Sequence, residues 1–265
     1  MTRSVILNLF QHPHKNLLYK IYKKLLKYFG PQGWWPIGGI YNLSKRHFSK
    51  KEKFEIMVGA ILTQNTAWNN VEKALSNLRK ANFLELEKIA TSNLQKLQKL
   101  IMPSGFYKQK AFRLKSFAEH LFAPNACSDG YRRTHPVFFS KNRTFVRFND
   151  ITREQLLALN GIGPETADSI LLYALGKPYF VVDAYTKRLI SRLGIFNSQD
   201  YPEIQKFFEK NIPKNIEIYK EYHALIVALA KSFCKKKPEC KNCPILSYCK
   251  RGKNEIRSGF RNGGK

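Results

Sequence analysis

Acidic residues are scarce in this sequence. Only 19 Asp and Glu residues stand against 46 Lys and Arg residues, which gives a formal net charge of +27 and an isoelectric point of about 10.0. A surface that needs only to be hydrated does not require so large an imbalance. The charge therefore favours a polyanionic partner, with nucleic acid as the first candidate and a membrane surface as the second.

Long hydrophobic runs are absent as well. No apolar stretch approaches the roughly 20 residues that a membrane-spanning helix needs, so we expect no membrane partner. The N-terminal stretch MTRSVILNLFQHPHK has too short an apolar core, and no small-residue cleavage site, to predict a signal peptide. We interpret residues 1–15 as a flexible extension and exclude them from the fold.

Strand-like alternation of polar and apolar residues is nearly absent too. Apolar residues recur instead at helical spacing, as in NLLYKIYKKLLKYF at residues 16–29, and the predicted class is all-α. The 265 residues, 43% of them hydrophobic, suffice for one or two domains with a real core. Residues 123–150 lose the helical period and are basic and aromatic, so we interpret them as an irregular insertion.

Cysteine is rare and unevenly placed. Cys127 stands alone, and four others are bunched near the C-terminal end, namely Cys234, Cys240, Cys243 and Cys249. This odd, clustered set argues against the disulfide framework of a secreted protein and favours a reducing, cytoplasmic compartment and a metal site. Four thiolates suit both zinc and an iron–sulfur cluster. Cys127 is interpreted as structural or incidental.

Residues 159–168, LNGIGPETAD, interrupt two segments that otherwise have helical patterns. Gly161 and Gly163 permit positive φ and let backbone N–H groups approach a ligand, while Pro164 suits the first position of a helix. Together with the positive dipole end of that helix, the turn predicts an anion site that a DNA phosphate would fit. A plain corner between two helices explains the same glycines.

Asp183 follows two valines in VVDAYTKRL and precedes a new amphipathic helix. The ordinary role of an aspartate at such a place is the N-cap. A catalytic role is compatible with it, because a cap fixes the carboxylate at the end of a helix.

This order of a glycine hairpin and then an aspartate after two valines resembles the helix-hairpin-helix DNA glycosylase superfamily, that of endonuclease III. Four segments resemble its alkylbase branch, that of 3-methyladenine DNA glycosylase III: GWWP (33–36), ILTQNTAW (61–68), PSGFYKQKAFRL (103–114) and GIGPETAD (161–168). The resemblance covers residues 16–250.

The resemblance implies two helical domains with a DNA-binding cleft between them. One is expected at residues 46–177 and carries the helix-hairpin-helix motif. The other is discontinuous, formed by residues 16–45 and 178–250, and carries an iron–sulfur loop, while residues 251–265 remain as a basic tail. We expect a monomer that acts on double-stranded DNA containing a damaged base.

The resemblance also assigns chemistry to two carboxylates. In the superfamily, the aspartate at the position of Asp183 is essential, because it stabilises the positive charge on the sugar as a flipped base leaves. Bifunctional members have a lysine at the position of Glu165, whose amine forms a Schiff base and leads to strand cleavage. A carboxylate cannot do this, so a monofunctional enzyme that leaves an abasic site is implied. Lys187 fits the family pattern poorly as a substitute.

Three tryptophans match positions that line the base pocket of the alkylbase branch: Trp34, Trp35 and Trp68. An indole face attracts a cationic base such as 3-methyladenine by ~0.5–2 kcal/mol. Core packing is the alternative for each, although a pair inside a Gly/Pro loop favours the pocket. Gln64 and Asn65 match the region that fills the gap left by the flipped base, and a polar helix end is their alternative.

The spacing Cys-x5-Cys-x2-Cys-x5-Cys resembles the loop that holds a [4Fe–4S] cluster in endonuclease III, whose usual first spacing is one residue longer. The resemblance favours this cluster over zinc, although the alkylbase enzyme that is similar in its other motifs lacks one.

Two other functions stay open. One is a glycosylase for another lesion, such as an oxidised pyrimidine or a mismatched base, and Glu165 counts against the lyase chemistry of an oxidised-pyrimidine enzyme. The other is a DNA-binding module without activity, and Asp183 counts against it.

Overall fold

The protein is helical throughout the part of the chain that the structure describes. The computed structural model describes residues 13–44, 47–122 and 149–262. Within these ranges no β-strand occurs, and the single bridge joins Ile37 to Ile40. The predicted all-α class is therefore confirmed. None of the described helices is both long and apolar enough to cross a membrane.

Three regions singled out in the sequence are described only in part or not at all. The extension at 1–15 is described only from residue 13, the insertion at 123–150 only at its last two residues, and Cys127 lies outside the described residues. Most of the basic tail expected at 251–265 is helical, because a helix runs from Lys250 to Asn262.

The described helices are, in chain order, α1 (Pro13–Phe29), α2 (Lys50–Leu62), α3 (Trp68–Lys80), α4 (Leu86–Ala90), α5 (Leu94–Ile101), α6 (Tyr107–Phe122), α7 (Arg153–Leu157), α8 (Pro164–Ser169), α9 (Ala184–Leu193), α10 (Tyr201–Asn211), α11 (Ile216–Ser232) and α12 (Lys250–Asn262). Two short 3₁₀ turns occupy Met102–Ser104 and Leu246–Tyr248. A π-helical turn, Ile170–Ala174, continues directly from α8.

The chain divides into two compact units. The terminal unit comprises the described residues within 1–36, 41–44 and 176–265. The central unit comprises the described residues within 37–40 and 45–175. The helix-hairpin-helix segment lies in the central unit, whereas Asp183 and the four clustered cysteines lie in the terminal unit.

Helix α2 forms the middle of the central unit. It begins at a capping box, in which Ser49 and Glu52 satisfy each other's backbone N–H groups. All residues from Phe54 to Leu62 are buried, so the helix is covered on every side. It packs against α3, α6 and the turn Ile170–Ala174. Thr63 is its C-cap, and the turn that follows carries two of the residues predicted to meet DNA, Gln64 and Asn65.

Two buried carboxylates in the central unit are paired with arginines. Glu55, which is 6% exposed, accepts hydrogen bonds from Arg79 Nη1 at 2.7 Å and from the Gly38 backbone N–H at 2.9 Å. Asp168, which is fully buried, accepts two from Arg153, at 2.7 Å from Nε and 3.1 Å from Nη2. The second pair ties the helix before the hairpin to the helix after it.

The terminal unit has an aromatic core around α11. The rings of Phe180 and Phe208 stack with their centroids 4.4 Å apart, and the ring of Phe180 also meets the edges of Tyr219 and Tyr222. Helix α11 packs against α1 and α9, and α9 packs against α12. This packing places α9, which Asp183 precedes, beside α11.

Loss of the Arg153–Asp168 pair should destabilise the protein. Asp168→Asn is expected to lower the free energy of unfolding by about 2–4 kcal/mol, because the partly buried guanidinium of Arg153 loses its fully buried counter-charge. Urea unfolding at neutral pH measures this. Glu85→Gln is the matched control, since the Glu85–Lys88 pair is more than a third exposed on both sides. It should cost less than about 1 kcal/mol. Equal effects of the two substitutions would contradict the prediction.

Candidate active-site residues and cysteine pocket

Asp183 is the N-cap of α9, as its position before an amphipathic helix predicts. Its backbone is extended, with φ −90° and ψ −179°. Oδ1 accepts hydrogen bonds from the Thr186 backbone N–H at 2.7 Å and from Thr186 Oγ1 at 2.9 Å. Oδ2 lies 3.6 Å from Nε2 of His223 on α11, an ion-pair distance rather than a short hydrogen bond. The two oxygens therefore have different partners, one neutral and one basic.

The surroundings of Asp183 keep its carboxyl group ionised. Burial by itself raises the pKa of Asp183, but the neighbouring His223 imidazole and the two hydrogen bonds from Thr186 outweigh burial and hold the pKa below its ordinary value. The side chains of Asp183 and His223 are only 13% and 14% exposed. A charged carboxylate in such a sheltered place is suited to stabilising a cation that develops next to it.

The two glycines of the hairpin have different backbone conformations. Gly161 has φ +82°, and a Cβ at this position would collide with the side chain of Arg113, so both the conformation and the space require glycine. Gly163 has φ −87° and does not use the positive φ that glycine permits. The reason is that Gly163 is the N-cap of α8, a position that takes extended backbone. Pro164 is the first residue of α8, as predicted.

The hairpin also leaves backbone donors open. Within the described part of the chain, neither the Gly161 nor the Gly163 N–H donates a hydrogen bond. No atom lies within 4 Å of the place a Cβ would occupy on Gly163, so a ligand could approach its backbone. Glu165 follows in the first turn of α8 and is exposed. Ile162 is buried and anchors the hairpin between the two glycines.

The turn after α2 is held by two basic residues of α6. Lys110, which is 1% exposed, donates through Nζ to Leu62 O at 2.7 Å, Thr66 Oγ1 at 2.6 Å and Ser104 O at 2.8 Å. Burial, helped by the nearby charge of Arg113, lowers the pKa of Lys110 to about 8. Lys110 therefore remains charged at neutral pH and fixes the backbone on both sides of the turn.

The three tryptophans are divided between the two units. Trp34 and Trp35 belong to the terminal unit, and their rings meet edge to face at 5.4 Å. The Trp34 ring also meets Tyr41 edge to face at 5.9 Å. Trp35 and Trp68 are 7% and 9% exposed, which favours core packing for them, whereas Trp34 is half-buried. The loop that precedes Trp34 is anchored to α11, because Glu221 accepts a hydrogen bond from the Gln32 N–H at 2.8 Å.

A pocket near the end of the terminal unit is lined by the four clustered cysteines together with Arg192, Phe233 and other side chains. Arg192 Nη1 donates to Cys234 Sγ at 3.2 Å, and the Gly252 N–H donates to Cys249 Sγ at 3.3 Å. Burial raises the pKa of the Cys243 thiol to about 11. Among the described residues, no three His, Cys, Asp or Glu side chains converge closely enough to hold a single metal ion.

The sequence alone predicts no individual role for five residues that take part in these sites: Lys110, Arg113, Thr186, Arg192 and His223. Lys110 and Arg113 lie in the segment PSGFYKQKAFRL, and their spacing of three on one helix is a signal that they share a face. Thr186 lies three residues after Asp183, where an N-cap side chain finds its partner. The sequence gives no signal for Arg192 or His223, because each meets its partner only through packing of distant segments.

The chain matches a family model along most of its middle. The model, described as HhH-GPD superfamily base excision DNA repair protein, matches residues 58–214. A putative DNA repair glycosylase of Methanocaldococcus jannaschii is 48% identical over 234 residues, which cover 88% of this chain and 96% of that protein. Endonuclease III of Thermotoga maritima is 26% identical over 218 residues, which cover 80% of this chain and 92% of that protein.

Solved structures agree with these matches. The crystal structure of H. pylori 3-methyladenine DNA glycosylase bound to 1,N6-ethenoadenine superposes with a TM-score of 0.61 at 32% identity, covering 82% of this chain and 97% of that chain. A non-covalent endonuclease III–DNA complex superposes with a TM-score of 0.68 at 23% identity, covering 92% of this chain and 98% of that chain. The second likeness concerns the fold alone.

The partners of Asp183 lead to a prediction about pH. A carboxyl group whose folded-state pKa lies below its unfolded value of about 3.9 contributes stability above that pH and loses it as the pH falls through the folded pKa. His223→Gln should raise the folded pKa of Asp183, because it removes the basic neighbour of Oδ2. The carboxyl ¹³C resonance of Asp183, assigned with Asp183→Asn, should then titrate at higher pH than in the wild type.

Thr186→Ser is the matched control for that titration. It keeps both donors to Oδ1 and should shift the Asp183 pKa much less than His223→Gln does. Identical titration curves for the wild type and His223→Gln would contradict the assigned role of His223.

Proposed function

The chain belongs to the HhH-GPD superfamily of base excision DNA repair proteins and is a DNA glycosylase, and we propose that it is a monofunctional one. In this proposal it hydrolyses the N-glycosidic bond of an alkylated purine, such as 3-methyladenine, that is flipped out of double-stranded DNA. The product is an abasic site in an uncut strand. The observation that carries the proposal is the ionised Asp183 carboxylate, held by Thr186 and His223.

Asp183 is the catalytic residue of the proposal. As the bond between sugar and base breaks, positive charge develops on the sugar, and a fixed negative charge beside it lowers the barrier. Because Thr186 occupies Oδ1 with two hydrogen bonds, Oδ2 is the oxygen that remains to face the sugar or a water molecule. His223 beside Oδ2 keeps the carboxylate deprotonated before substrate arrives. The base leaves with the bonding electrons, water then adds through its oxygen to the sugar carbon that held the base, and the proton that water loses passes to the Asp183 carboxylate and on to solvent.

The absence of lyase chemistry is supported by Glu165. This side chain stands in the first turn of α8, where the resemblance places the Schiff-base lysine of bifunctional enzymes, and a carboxylate forms no Schiff base. Lys187 is the lysine four residues after Asp183, and its Nζ donates to Gln199 O at 2.8 Å. That hydrogen bond engages the amine with the loop before α10, which disfavours Lys187 as a nucleophile.

The choice of an alkylated purine is supported by one relative and by one side chain. The solved structure that is 32% identical to this chain is that of a 3-methyladenine DNA glycosylase, bound to an alkylated adenine derivative. Trp34 is half-buried, with its ring steadied edge-on by Trp35 and Tyr41. An indole face attracts a cationic base by ~0.5–2 kcal/mol, which favours a methylated purine over a neutral oxidised pyrimidine.

DNA binding in this proposal uses the hairpin and the basic surface. The open N–H groups of Gly161 and Gly163 suit a phosphate oxygen, and the net charge of +27 favours association with a duplex. Each phosphate contact contributes affinity without sequence preference, as a repair enzyme that searches long DNA requires.

A [4Fe–4S] cluster is the proposed cofactor, held by Cys234, Cys240, Cys243 and Cys249. The donor set fits, because four sulfur ligands line one pocket and two of them already accept N–H hydrogen bonds, from Arg192 and Gly252. The bound cluster would cross-link the loop between α11 and α12. Arg192 would fix this loop further, since it also donates to Lys235 O at 2.7 Å and to Lys236 O at 3.0 Å.

A panel of duplex oligonucleotides tests the function. Each carries one modification: 1,N6-ethenoadenine, 3-methyladenine, an oxidised pyrimidine or a G·T mismatch. The wild type should release the alkylated purines and leave the strand whole until alkali is added, and borohydride should trap no covalent complex. Asp183→Asn should lose release by at least ~10²-fold, since a neutral amide stabilises the sugar cation poorly. The variant should still bind duplex DNA within a few-fold of the wild type.

Each alternative has its own outcome in that panel. Release of an oxidised pyrimidine with efficient borohydride trapping would favour an endonuclease III-like lyase and make the role of Glu165 wrong. Tight DNA binding without release of any base would favour a binding module without activity. Normal release by Asp183→Asn would overturn the catalytic assignment.

The cofactor proposal is tested by metal analysis of the purified protein. The wild type should be brown and contain about four iron atoms per chain. Cys240→Ser should lose iron and melt at a lower temperature, whereas Cys127→Ser, outside the cluster motif, should keep both properties. A colourless protein with one zinc per chain would contradict the cluster.

A further inference from the structure

A polar groove lies in the terminal unit between the C-terminal end of α9 and helix α12. Its volume is about 520 Å³. Six of the side chains that line it carry hydrogen-bond donors, and three of these are cationic: Ser191, Arg192, Lys250, Arg251, Asn254 and Ser258. Among the described residues that line the groove, none has an apolar side chain, and the single acidic one is Glu255. The groove therefore offers donors and positive charge, which suit an extended anion.

Two glycines let α12 approach its neighbours closely enough to form the groove. Gly194 is the left-handed C-cap of α9, with φ +71°, and a Cβ on it would lie 2.9 Å from Cδ of Lys250. A Cβ on Gly252 would lie 2.9 Å from Cδ1 of Leu246, in the cysteine loop between α11 and α12. The Gly252 N–H also donates to Cys249 Sγ at 3.3 Å. Helix α12 is thus fixed to α9 and to the cysteine loop, which holds the two walls of the groove together.

The protein itself neutralises little of the positive charge of the groove. Arg192 donates to Cys234 Sγ and to two neutral backbone carbonyls of the cysteine loop. Within the described part of the chain, no carboxylate lies at ion-pair distance from Arg192 or Lys250. Glu255 lies 3.9 Å from Arg251, but both side chains are at least half exposed, so water screens this pair. The first turn of α12 contains no acidic residue. A bound anion would therefore be favoured by three cations and by the positive end of the helix dipole.

We propose that this groove binds the phosphate backbone of double-stranded DNA on one side of the damaged base. Asp183 caps the start of α9 and Gly194 caps its end, so the groove lies roughly 16 Å along this helix from Asp183. Each strand of a duplex carries a phosphate about every 3.4 Å along the axis, so the groove reaches phosphates on the order of five base pairs from the lesion. The inference rests on the DNA binding of the proposed function and is independent of which base is released.

Duplex DNA fits the groove better than an acidic protein segment does. Protein interfaces are anchored by buried aromatic and apolar side chains, and none of the described side chains that line the groove is apolar. A phosphate backbone needs only hydrogen-bond donors and positive charge. The groove also lies at the end of the helix that Asp183 caps, and the substrate of Asp183 in the proposed function is a duplex.

The test locates the phosphates that the groove contacts. The probe is a duplex with a tetrahydrofuran abasic analogue, in which one phosphate at a time is replaced by a neutral methylphosphonate. For the wild type, binding measured by fluorescence anisotropy should weaken roughly 3–10-fold at phosphates on the order of five base pairs from the analogue. Lys250→Gln combined with Arg251→Gln should bind the unmodified probe more weakly and should lose nothing further at those phosphates, because the contact is already gone.

Lys253→Gln combined with Arg257→Gln is the matched control. Both residues are exposed on α12, and neither lines the groove. The control removes the same two charges from the same helix and should keep the wild-type response to each methylphosphonate. On a log–log plot of affinity against salt, the groove variant should lose about 0.9 of slope for each phosphate contact that it lacks, and the control should lose less.

A third variant should bind DNA more tightly, a result that a folding defect cannot imitate. Glu255→Gln removes the acidic side chain of the groove and releases Arg251 from its ion pair. Affinity for the probe should therefore rise roughly 2–5-fold at low salt. Glu217→Gln is its control, since Glu217 is an exposed acid of the same unit that does not line the groove, and it should leave the affinity unchanged. Iron content and Tm of every variant are measured in parallel.

Three outcomes would overturn the proposal: equal methylphosphonate sensitivity in the groove variant and the wild type, equal weakening by the two double variants, or unchanged affinity of Glu255→Gln. Wild-type DNA binding by the groove variant would point to an acidic protein segment as the occupant instead. If the groove variant loses iron or melts early, Glu255→Gln decides the question. Failure of the proposed function would appear elsewhere, as the absence of base release by the wild type from alkylated DNA, because the phosphate scan needs no catalysis.

Discussion

The candidate site in the terminal unit depends on one constraint: the sheltered carboxylate of Asp183 has to stay charged. Burial alone would favour the neutral form of Asp183, and three polar contacts reverse this preference. Two come from Thr186, one turn into the helix that Asp183 itself caps, so the local sequence supplies them. The third comes from His223, which reaches Oδ2 only because α11 packs beside α9. The charge therefore depends on both local capping and tertiary packing.

The same two helices reach from Asp183 to the cysteine pocket. Helix α9, which Asp183 caps, carries two arginines that bind the cysteine loop: Arg188 donates to Cys234 O at 2.8 Å, and Arg192 donates to Cys234 Sγ. Helix α11 carries His223 and ends at Ser232, just before Cys234. The loop is thus attached to the far ends of the helices that hold Asp183 and His223. Ligation of the four thiolates would restrain these two helices. This is a structural role, which requires no redox reaction.

The sequence predicts the parts of these sites that arise from local rules. The N-cap role of Asp183, the start of α8 at Pro164 and the left-handed glycine at 161 each follow from the conformational preferences of one or two residues. The ion pair with His223 does not follow from such preferences, because a lone histidine in an amphipathic helix can have many different roles. Gly163 has no need of positive φ, because it is the N-cap of α8 and takes extended backbone. The hydrogen bonds of Gln64 to Gly161 O and to Arg113 do not follow from local rules either, because only folding brings these three segments together.

The candidate site residues of both units lie at or next to the ends of helices, for a physical reason. A helix leaves its first N–H groups and last C=O groups without partners, so residues at its ends must satisfy them or offer them to a ligand. Asp183 satisfies a donor of α9 and thereby holds its own carboxylate in place. Lys110 satisfies Leu62 O at the end of α2 and thereby fixes the turn that carries Asn65. Gly163 leaves its N–H open before α8. The interactions that end each helix therefore also position its chemical groups, so fold and site are specified by the same residues.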